Sequence, residues 1–436
     1  MKFSKGFFIF THMEIAELYK IFLNHPVIST DTRKVSKGCL FFALKGENFD
    51  ANTFAEQAIN EGAAYAIIDN LNFKKSEAYI LVDDVLKTLQ RLSNYHRKQF
   101  TIPFIGITGS NGKTTSKELI NAVLSEKYKT NVTQGNLNNH IGVPLTILSI
   151  PKDCEIAIIE MGANHIGEIE QLCEISEPTF GIITNIGTAH IEGFGSREGV
   201  IKAKSELYHF IKENNGKLFL NEDDNLLIKL AETIPSIKYS RLEINNISSN
   251  PLLSFEWKNL KIETQLYGEY NIPNILAAIK IGEYFNVEIT AIKAALEHYV
   301  STNNRSQIVK LPNHTLYLDA YNANPTSMNA AIDSFSKLVD TKKLLILGDM
   351  LELGHVSQEE HQKVADKINQ LKLNALLVGN EFQQIKNNYE LKSVKNTDEA
   401  IAWLENNLNT FNSILIKGSR GIRLEKISEY IQKKGV

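Results

Sequence analysis

The chain has 436 residues, 43% of them hydrophobic and 22% charged, the proportions of a globular protein long enough for about three domains. With 47 basic against 50 acidic side chains the net charge is −3, and long basic runs are absent, which argues against a nucleic-acid partner. The apolar stretch Gly6–Phe10 is shorter than the ~7–15 residues of an export core, no small-residue cleavage site follows, and no stretch approaches the ~20 apolar residues of a membrane helix. A cytoplasmic protein without membrane insertion is therefore expected, with Met13, where amphipathic patterning begins, as a candidate start beside Met1. Cys39, Cys154 and Cys173 lack metal-type spacing, and Cys154 and Cys173 read as buried small hydrophobes rather than a disulfide pair.

Along the chain, short apolar runs alternate with helical patterns. "CLFFAL" and "AYAIID" read as strands with a helix in "ANTFAEQAINEGA" between them, and "LVDDVLKTLQRLSNYHRKQF" as a helix leading to a boundary near Thr101. "PFIGIT", "EIAIIE" and "FGIITNI" are continuous apolar strands, and Lys113–Lys127 has helical spacing, a combination that implies a parallel sheet covered on both faces. "LLSFEWKNLKIETQLYGEYN" alternates like antiparallel strands, and Pro273–Phe285 returns to a helix. From about Ser306 the strand–helix rhythm repeats through "HTLYLDA", a helix from Pro325 capped by Asn324, "KLLILGD", a helix around His361, "NALLVG", "SILIKGS" and a final helix. The expected division is 1–100, 101–305 and 306–436.

"GITGSNGKTT" raises the first chemical question. A phosphate loop of the form G-x-x-x-x-G-K-[ST] would need glycine at 107, where Ile107 stands, with Gly106 one place early. Strand, glycines, Lys-Thr-Thr and helix nevertheless follow in the right order. Gly109 and Gly112 let backbone amides point at an anion, Asn111 lies between them, Lys113 reaches β/γ-phosphates, and the Thr114 hydroxyl can ligate magnesium beside Thr115. Ligands in open α/β sheets bind at the carboxyl ends of strands. Glu160 sits just past one such strand, and Asn185, Thr188 and His190 just past another. With Thr114, Glu160 and His190 suit a Mg²⁺ shell, although each alone reads equally as structural. Lys202 and Lys204, by composition, are solvated surface lysines.

Asn271 is either a helix cap or a purine contact. Arg305 lies at the second boundary, where a guanidinium can grip phosphate. Asp319, Tyr321, Asn322 and Asn324 end one strand of the third block, Asp349 another, and Lys417, Ser419 and Arg420 another. Singly these are turns; together they line a binding face.

These motifs, "TGSNGKTT", "NLNNHIGVPLTIL", "EMGANHIGEI", "TNIGTAHIEGFGS", "DAYNANPTSM" and "LGDMLELG", resemble the Mur ligases of bacterial cell-wall synthesis, over a span from about Met13 to the C-terminus. In that family the loop reads TG-x-x-GKT, so Ile107 is ordinary. The last two motifs are similar to the branch that adds a D-alanyl-D-alanine dipeptide, and set the chain apart from sister ligases and folylpolyglutamate synthetase.

The resemblance implies an α/β protein of three domains: a smaller α/β N-terminal domain for the UDP-linked substrate, a central P-loop ATPase with a parallel sheet, and a Rossmann-like C-terminal domain. It implies ATP, two Mg²⁺ sites, UDP-N-acetylmuramoyl-tripeptide and D-alanyl-D-alanine as ligands, and an acyl phosphate as intermediate. It places Ser29, Thr30 and Arg33 near the uridine nucleotide, and Asn138, Asn139 and His140 near the muramyl peptide. Asn271, Arg305, Asn322 and Asn324 become adenine, ribose and phosphate contacts. Lys204 becomes a carbamylated lysine that helps place a second Mg²⁺; capturing CO₂ needs an amine whose pKa is depressed. Asp349 and His361 fall in the region expected to hold the dipeptide, as candidate bases. A monomer is expected.

Overall fold

The computed structural model describes residues 13–188, 191–302, 304–386, 389 and 391–434, so the Gly6–Phe10 stretch and His190 lie outside the described residues. The chain forms two compact units: Met1–Gly106, Lys129–Met161 and Glu170–Thr179 make the first, and Ile107–Tyr128, Gly162–Ile169 and Phe180–Val436 the second.

In the first unit, the strands Ile28–Ser29, Leu40–Phe42, Tyr65–Ile68 and Tyr79–Leu81 form a parallel sheet in chain order. Alternate side chains feed two cores, as the two-residue strand period requires. Leu40, Phe42 and Ile67 pack with Leu18 and Phe22 of the helix Ile15–Asn24 and with Leu89 and Leu92 of the helix Val85–Arg97. Cys39, Phe41, Ala66 and Ile68 pack instead against Ala55 and Ala58 of the short helix Ala55–Asn60. The helix expected from Leu81 starts only at Val85. Tyr79–Leu81 is held as a strand by Ala66–Ile68, and Asp84 caps the helix by accepting from the Lys87 amide at 2.8 Å.

Thr130–Val132 pairs in parallel with Ile156–Glu160. Arg97, almost fully buried, donates to the carbonyls of Ser176, Glu177 and Phe100 and stacks 3.7 Å over the Phe104 ring. All three cysteines are free and buried.

The strand Phe104–Thr108 carries the chain from the first unit into the second. In the second unit, Phe180–Ile183, Lys217–Asn221 and Ser236–Tyr239 run parallel, and the expected antiparallel strands Leu253–Trp257 and Leu260–Glu263 are joined by an unexpected third, Ile244–Ser249. A six-stranded sheet closes the chain in the order Gln307–Lys310, Thr315–Asp319, Ser413–Lys417, Lys343–Gly348, Asn374–Val378 and Lys392–Val394, parallel except for the first strand.

The four inner strands of this last sheet are buried on both faces, which is why they read as unbroken apolar runs. Tyr317, Leu345 and Leu347 join one core, and Leu316, Leu318 and Ile346 the other. Among the described residues no helix is long and apolar enough to cross a membrane.

Candidate active site

The phosphate loop joins the Phe104–Thr108 strand to the helix Lys113–Ser125. Its glycines are required by geometry. Gly109 has φ +147°, and a Cβ there would sit 2.0 Å from Thr184 Oγ1; Gly112 has φ +79°, and a Cβ would lie 2.6 Å from Asn274 Oδ1.

The neighbouring strand end clamps the loop. Ser110 N donates to Asn185 O (2.9 Å), Asn111 N to Asn185 Oδ1 (3.1 Å), and Asn185 Nδ2 and Thr184 Oγ1 both donate to Asn111 O. Gly187 N reaches Ser110 Oγ at 2.9 Å. The Lys113 ammonium folds back onto Gly109 O at 2.6 Å and approaches Ser110 O. Thr114 and Thr115 are buried at the positive end of the helix. A preformed, glycine-lined turn with its lysine cation tethered above it is an anion cradle.

The third sequence block meets this loop directly. Asn324 Nδ2 donates to Asn111 Oδ1 at 2.7 Å, and Asn111 Nδ2 returns a 3.4 Å contact. Asn324 also caps the helix Pro325–Ser336 through a 2.9 Å bond from Ser327 N, as expected. Thr188 Oγ1 lies 3.2 Å from Thr326 Oγ1. Nearby strand ends supply cations. The Arg305 guanidinium stacks 3.7 Å over the Tyr321 ring with Arg420 at 5.4 Å, and Arg305 Nε is buried without a hydrogen-bond partner. Lys417 is buried in an ion pair with Asp319 and also approaches Asn322 O, while the Asn322 side chain is exposed apart from its bond to Ala323 N.

Lys204 overturns its reading as a surface lysine. Lys202 is exposed, but Lys204, two positions on in the helix Arg197–Glu213, is 1% exposed beside Ala163 O and the Phe194 ring. Burial, with a further push from the Lys113 cation, lowers its pKa to about 7, against the opposing pull of Glu168 and Glu206. Burial and the Lys113 cation thus favour the neutral amine, the protonation state that can react with CO₂.

Asn271 is not a cap: its side chain makes no capping bond, donating instead to Tyr267 O and Ser306 Oγ while accepting from Asn274 Nδ2. The candidate bases also change role. His361 is fully buried, with Nε2 accepting from Met350 N at 3.0 Å and Nδ1 facing Ser357 O at 2.7 Å, so no nitrogen lone pair remains for a proton from an amine. Asp349 accepts from the Glu381 and Phe382 amides at 2.9 and 3.0 Å and packs under Gly379, where a Cβ would strike it. Both side chains shape the loop after the Lys343–Gly348 strand.

In the first unit, Glu160 is buried and accepts from Asn138 Nδ2 at 2.8 Å, which joins two expected site residues. Asn139 Oδ1 accepts from Ile141 N and Gly142 N in the turn that precedes the helix Gly142–Leu148, and His140 is exposed. Ser29 Oγ donates to Asp31 O, Thr30 is half-buried, and Arg33 is exposed in a forked pair with Asp31, whose carboxyl it holds at a pKa of about 2. Among the described residues no group of three or more His, Cys, Asp and Glu side chains gathers to hold a metal. Sequence reading missed Thr184, Tyr270, Ser306, Glu168 and Glu206, whose roles come from partners far along the chain.

Three family models match the chain in succession: "Mur ligase family, catalytic domain" over 26–99, "Mur ligase middle domain" over 107–282, and "Mur ligase, glutamate ligase domain" over 304–420. The UDP-N-acetylmuramoyl-tripeptide–D-alanyl-D-alanine ligase of Bacillus subtilis (strain 168) is 35% identical, covering 96% of this chain and 97% of its own. The chain belongs to the Mur ligase family. Among solved Mur ligases, a MurF structure from Acinetobacter baumannii superposes with TM-score 0.83 at 31% identity, with 93% of each chain covered. A MurF ligase from Thermotoga maritima, solved in complex with ADP, gives TM-score 0.83 at 26% identity over 93% of this chain and 97% of its own. A folylpolyglutamate synthase from Mycobacterium tuberculosis, 13% identical at TM-score 0.61, shares the fold alone.

Proposed function

We propose that this Mur ligase uses ATP to join D-alanyl-D-alanine to the terminal carboxylate of a UDP-N-acetylmuramoyl-tripeptide, giving the UDP-muramoyl-pentapeptide precursor of peptidoglycan. The observation that carries the reading is the Gly112–Lys113 anion cradle bonded through Asn111 to Asn324 of the "DAYNANPTSM" loop. The Bacillus subtilis relative, named as a UDP-N-acetylmuramoyl-tripeptide–D-alanyl-D-alanine ligase, suggests the substrates.

Amide formation in water is uphill, and a carboxylate resists nucleophilic attack. Transfer of the γ-phosphoryl group to the tripeptide carboxylate makes an acyl phosphate with a good leaving group. Attack by the dipeptide amine then expels phosphate and forms the C–N bond. Lys113 and the loop amides hold the β/γ-phosphates, Thr115 borders them, and Arg305 offers its unpaired Nε–H to the nucleotide phosphates. Asn322, with its exposed side chain, and Asn324, bonded to the phosphate loop, are our adenine, ribose and phosphate contacts, while Asn271, buried and bonded to Tyr267, Ser306 and Asn274, supports them from behind.

By donor type the residues suit magnesium: in the second unit Thr114 offers a hydroxyl and Lys204, whose burial favours the neutral amine, a carbamate oxygen, while the Glu160 carboxylate and the His190 imidazole are assigned as further ligands from the family motifs alone. Bound there at two sites, magnesium would supply neutralisation of phosphate charge. Ser29, Thr30 and Arg33 face the UDP moiety, Asn138, Asn139 and His140 the muramyl peptide, and Asp349 shapes the dipeptide region. The division into 1–100, 101–305 and 306–436 is supported by the three successive family matches. A reaction that consumes ATP and a UDP-linked precursor belongs in the cytoplasm, and we take the monomer as the working unit.

The test is phosphate release with a panel of UDP-muramyl peptides against D-alanyl-D-alanine, glutamate and diaminopimelate. Dependence on D-alanyl-D-alanine is expected; dependence on glutamate or diaminopimelate alone would sink the assignment. Lys113→Ala should abolish turnover and leave UDP-substrate binding in place.

A further inference from the structure

A buried chain of hydrogen bonds runs from the phosphate-loop helix to the segment that carries Arg305. Ser116 Oγ, fully buried on the loop helix, donates to Asn274 Oδ1 at 3.0 Å, the same oxygen that lies against Gly112. Asn274 Nδ2 donates to Asn271 Oδ1 at 3.0 Å, and Asn271 Nδ2 donates to Ser306 Oγ at 3.0 Å. The Tyr270 hydroxyl lies 3.1 Å from the same Ser306 oxygen.

Ser306 is thus the terminus of the relay and a point of backbone strain. Its φ is +48°, Asn304 has φ +51°, and neither is glycine, so both adopt the left-handed region at a cost that the surrounding bonds must offset. Between them stands Arg305, with its guanidinium on Tyr321 and its Nε buried without a partner. Two side chains from outside the segment, Tyr270 and Asn271, thus hold the Ser306 hydroxyl next to Arg305, whose own carbonyl accepts from Ser301 Oγ, and the Asn271 branch leads to the helix whose first turn forms the anion cradle.

We propose that Ser306, pinned by Tyr270 and Asn271, is a positioning residue that holds Arg305 ready for nucleotide phosphate and conveys occupancy of the phosphate loop to the 304–310 segment. The inference rests on the ATP reading above. The three links from Ser116 to Ser306 are neutral, about 3.0 Å long and buried, so a shift of the loop helix on filling is passed along the relay with little competition from solvent. Ser306 needs its hydroxyl, not merely a small side chain, for this role.

The experiment measures hydrogen exchange across 304–310 in the full-length protein, with and without a non-hydrolysable ATP analogue, together with steady-state kinetics. Unaltered protein should show slowed exchange of this segment on nucleotide binding. Ser306→Ala, Ser306→Gly and Tyr270→Phe should lose that response and lower kcat about tenfold, with analogue affinity within about threefold, the scale of one or two buried hydrogen bonds. Ser306→Gly also relaxes the positive φ and so separates hydroxyl from backbone. Variants that retain the nucleotide-dependent protection, or a Ser306→Gly protein with full kcat, overturn the positioning role while leaving the ATP reading intact. An unaltered protein that binds no ATP analogue overturns both.

Discussion

Asn324 does two separable things, and the structure gives each a magnitude. Its side chain caps the helix Pro325–Ser336 through Ser327 N, and it bridges to Asn111 in the phosphate loop, 213 positions away in sequence. Loss of an N-cap costs about 1 kcal/mol, and loss of a partly buried neutral hydrogen bond up to about 1 kcal/mol more. Asn324→Ala should therefore destabilise by ~2 kcal/mol. Asn324→Ser keeps a capping oxygen on a side chain too short to reach Asn111, and should cost only ~1 kcal/mol.

Asn111→Ala removes the same bridge from the other end. Combining it with Asn324→Ser should cost no more than either change alone, a coupling of ~1 kcal/mol in a double-mutant cycle. The readout is the urea midpoint followed by tryptophan fluorescence, since both tryptophans, Trp257 and Trp403, lie in the unit that contains the bridge. Strict additivity of the two single changes would refute a direct Asn111–Asn324 interaction.

Gly112→Ala places a Cβ 2.6 Å from Asn274 Oδ1 at φ +79°; it should cost ~1–2 kcal/mol of stability, weaken ATP binding at least tenfold by calorimetry, and spare UDP-substrate binding. His361→Ala should lower stability by ~1–3 kcal/mol by orphaning the Met350 amide, yet leave kcat per folded molecule within a few-fold; loss of turnover without loss of stability would restore His361 as a base. For Lys204 the sign follows from proton counting. Its folded pKa is depressed to about 7, so between there and the ordinary lysine value of about 10.4 the unfolded chain holds a proton the folded chain has released, and this group's contribution to stability rises with pH. In CO₂-free buffer Lys204→Met should therefore gain most relative to the parent near pH 6 and lose that advantage towards pH 10. An offset constant with pH would show that Lys204 is not a suppressed cation.

How much of this was legible in the sequence depends on whether each property is local. Thr315–Asp319 and Lys343–Gly348 announce themselves because burial on both faces demands unbroken apolar runs, and the helix start at Asn324-Pro325 is written in two adjacent residues. The edge strands Thr130–Val132 and Lys392–Val394 leave no such trace, being three residues long, with polar side chains and defined only by the neighbour they pair with. The resemblance to Mur ligases was carried by loop motifs for the same reason: glycines at positive φ and the lysine above them are constrained by their immediate neighbours.

The residues whose reading changed are those governed by distant partners. Lys202 and Lys204 are indistinguishable by composition, but two steps along a helix is a rotation of about 200°, and that alone sends one to solvent and the other beneath Phe194 within the field of Lys113. His361 is a candidate base from its place in the region expected to hold the dipeptide, but the Met350 amide and the Ser357 carbonyl take both of its nitrogens. In each case the chemistry of the side chain was set by one or two groups that burial brought within hydrogen-bonding or Coulombic range. A lysine with a depressed pKa therefore has to be inferred from a desolvated helix face beside a second cation, and a catalytic histidine from an uncommitted nitrogen, before the residue types themselves carry any weight.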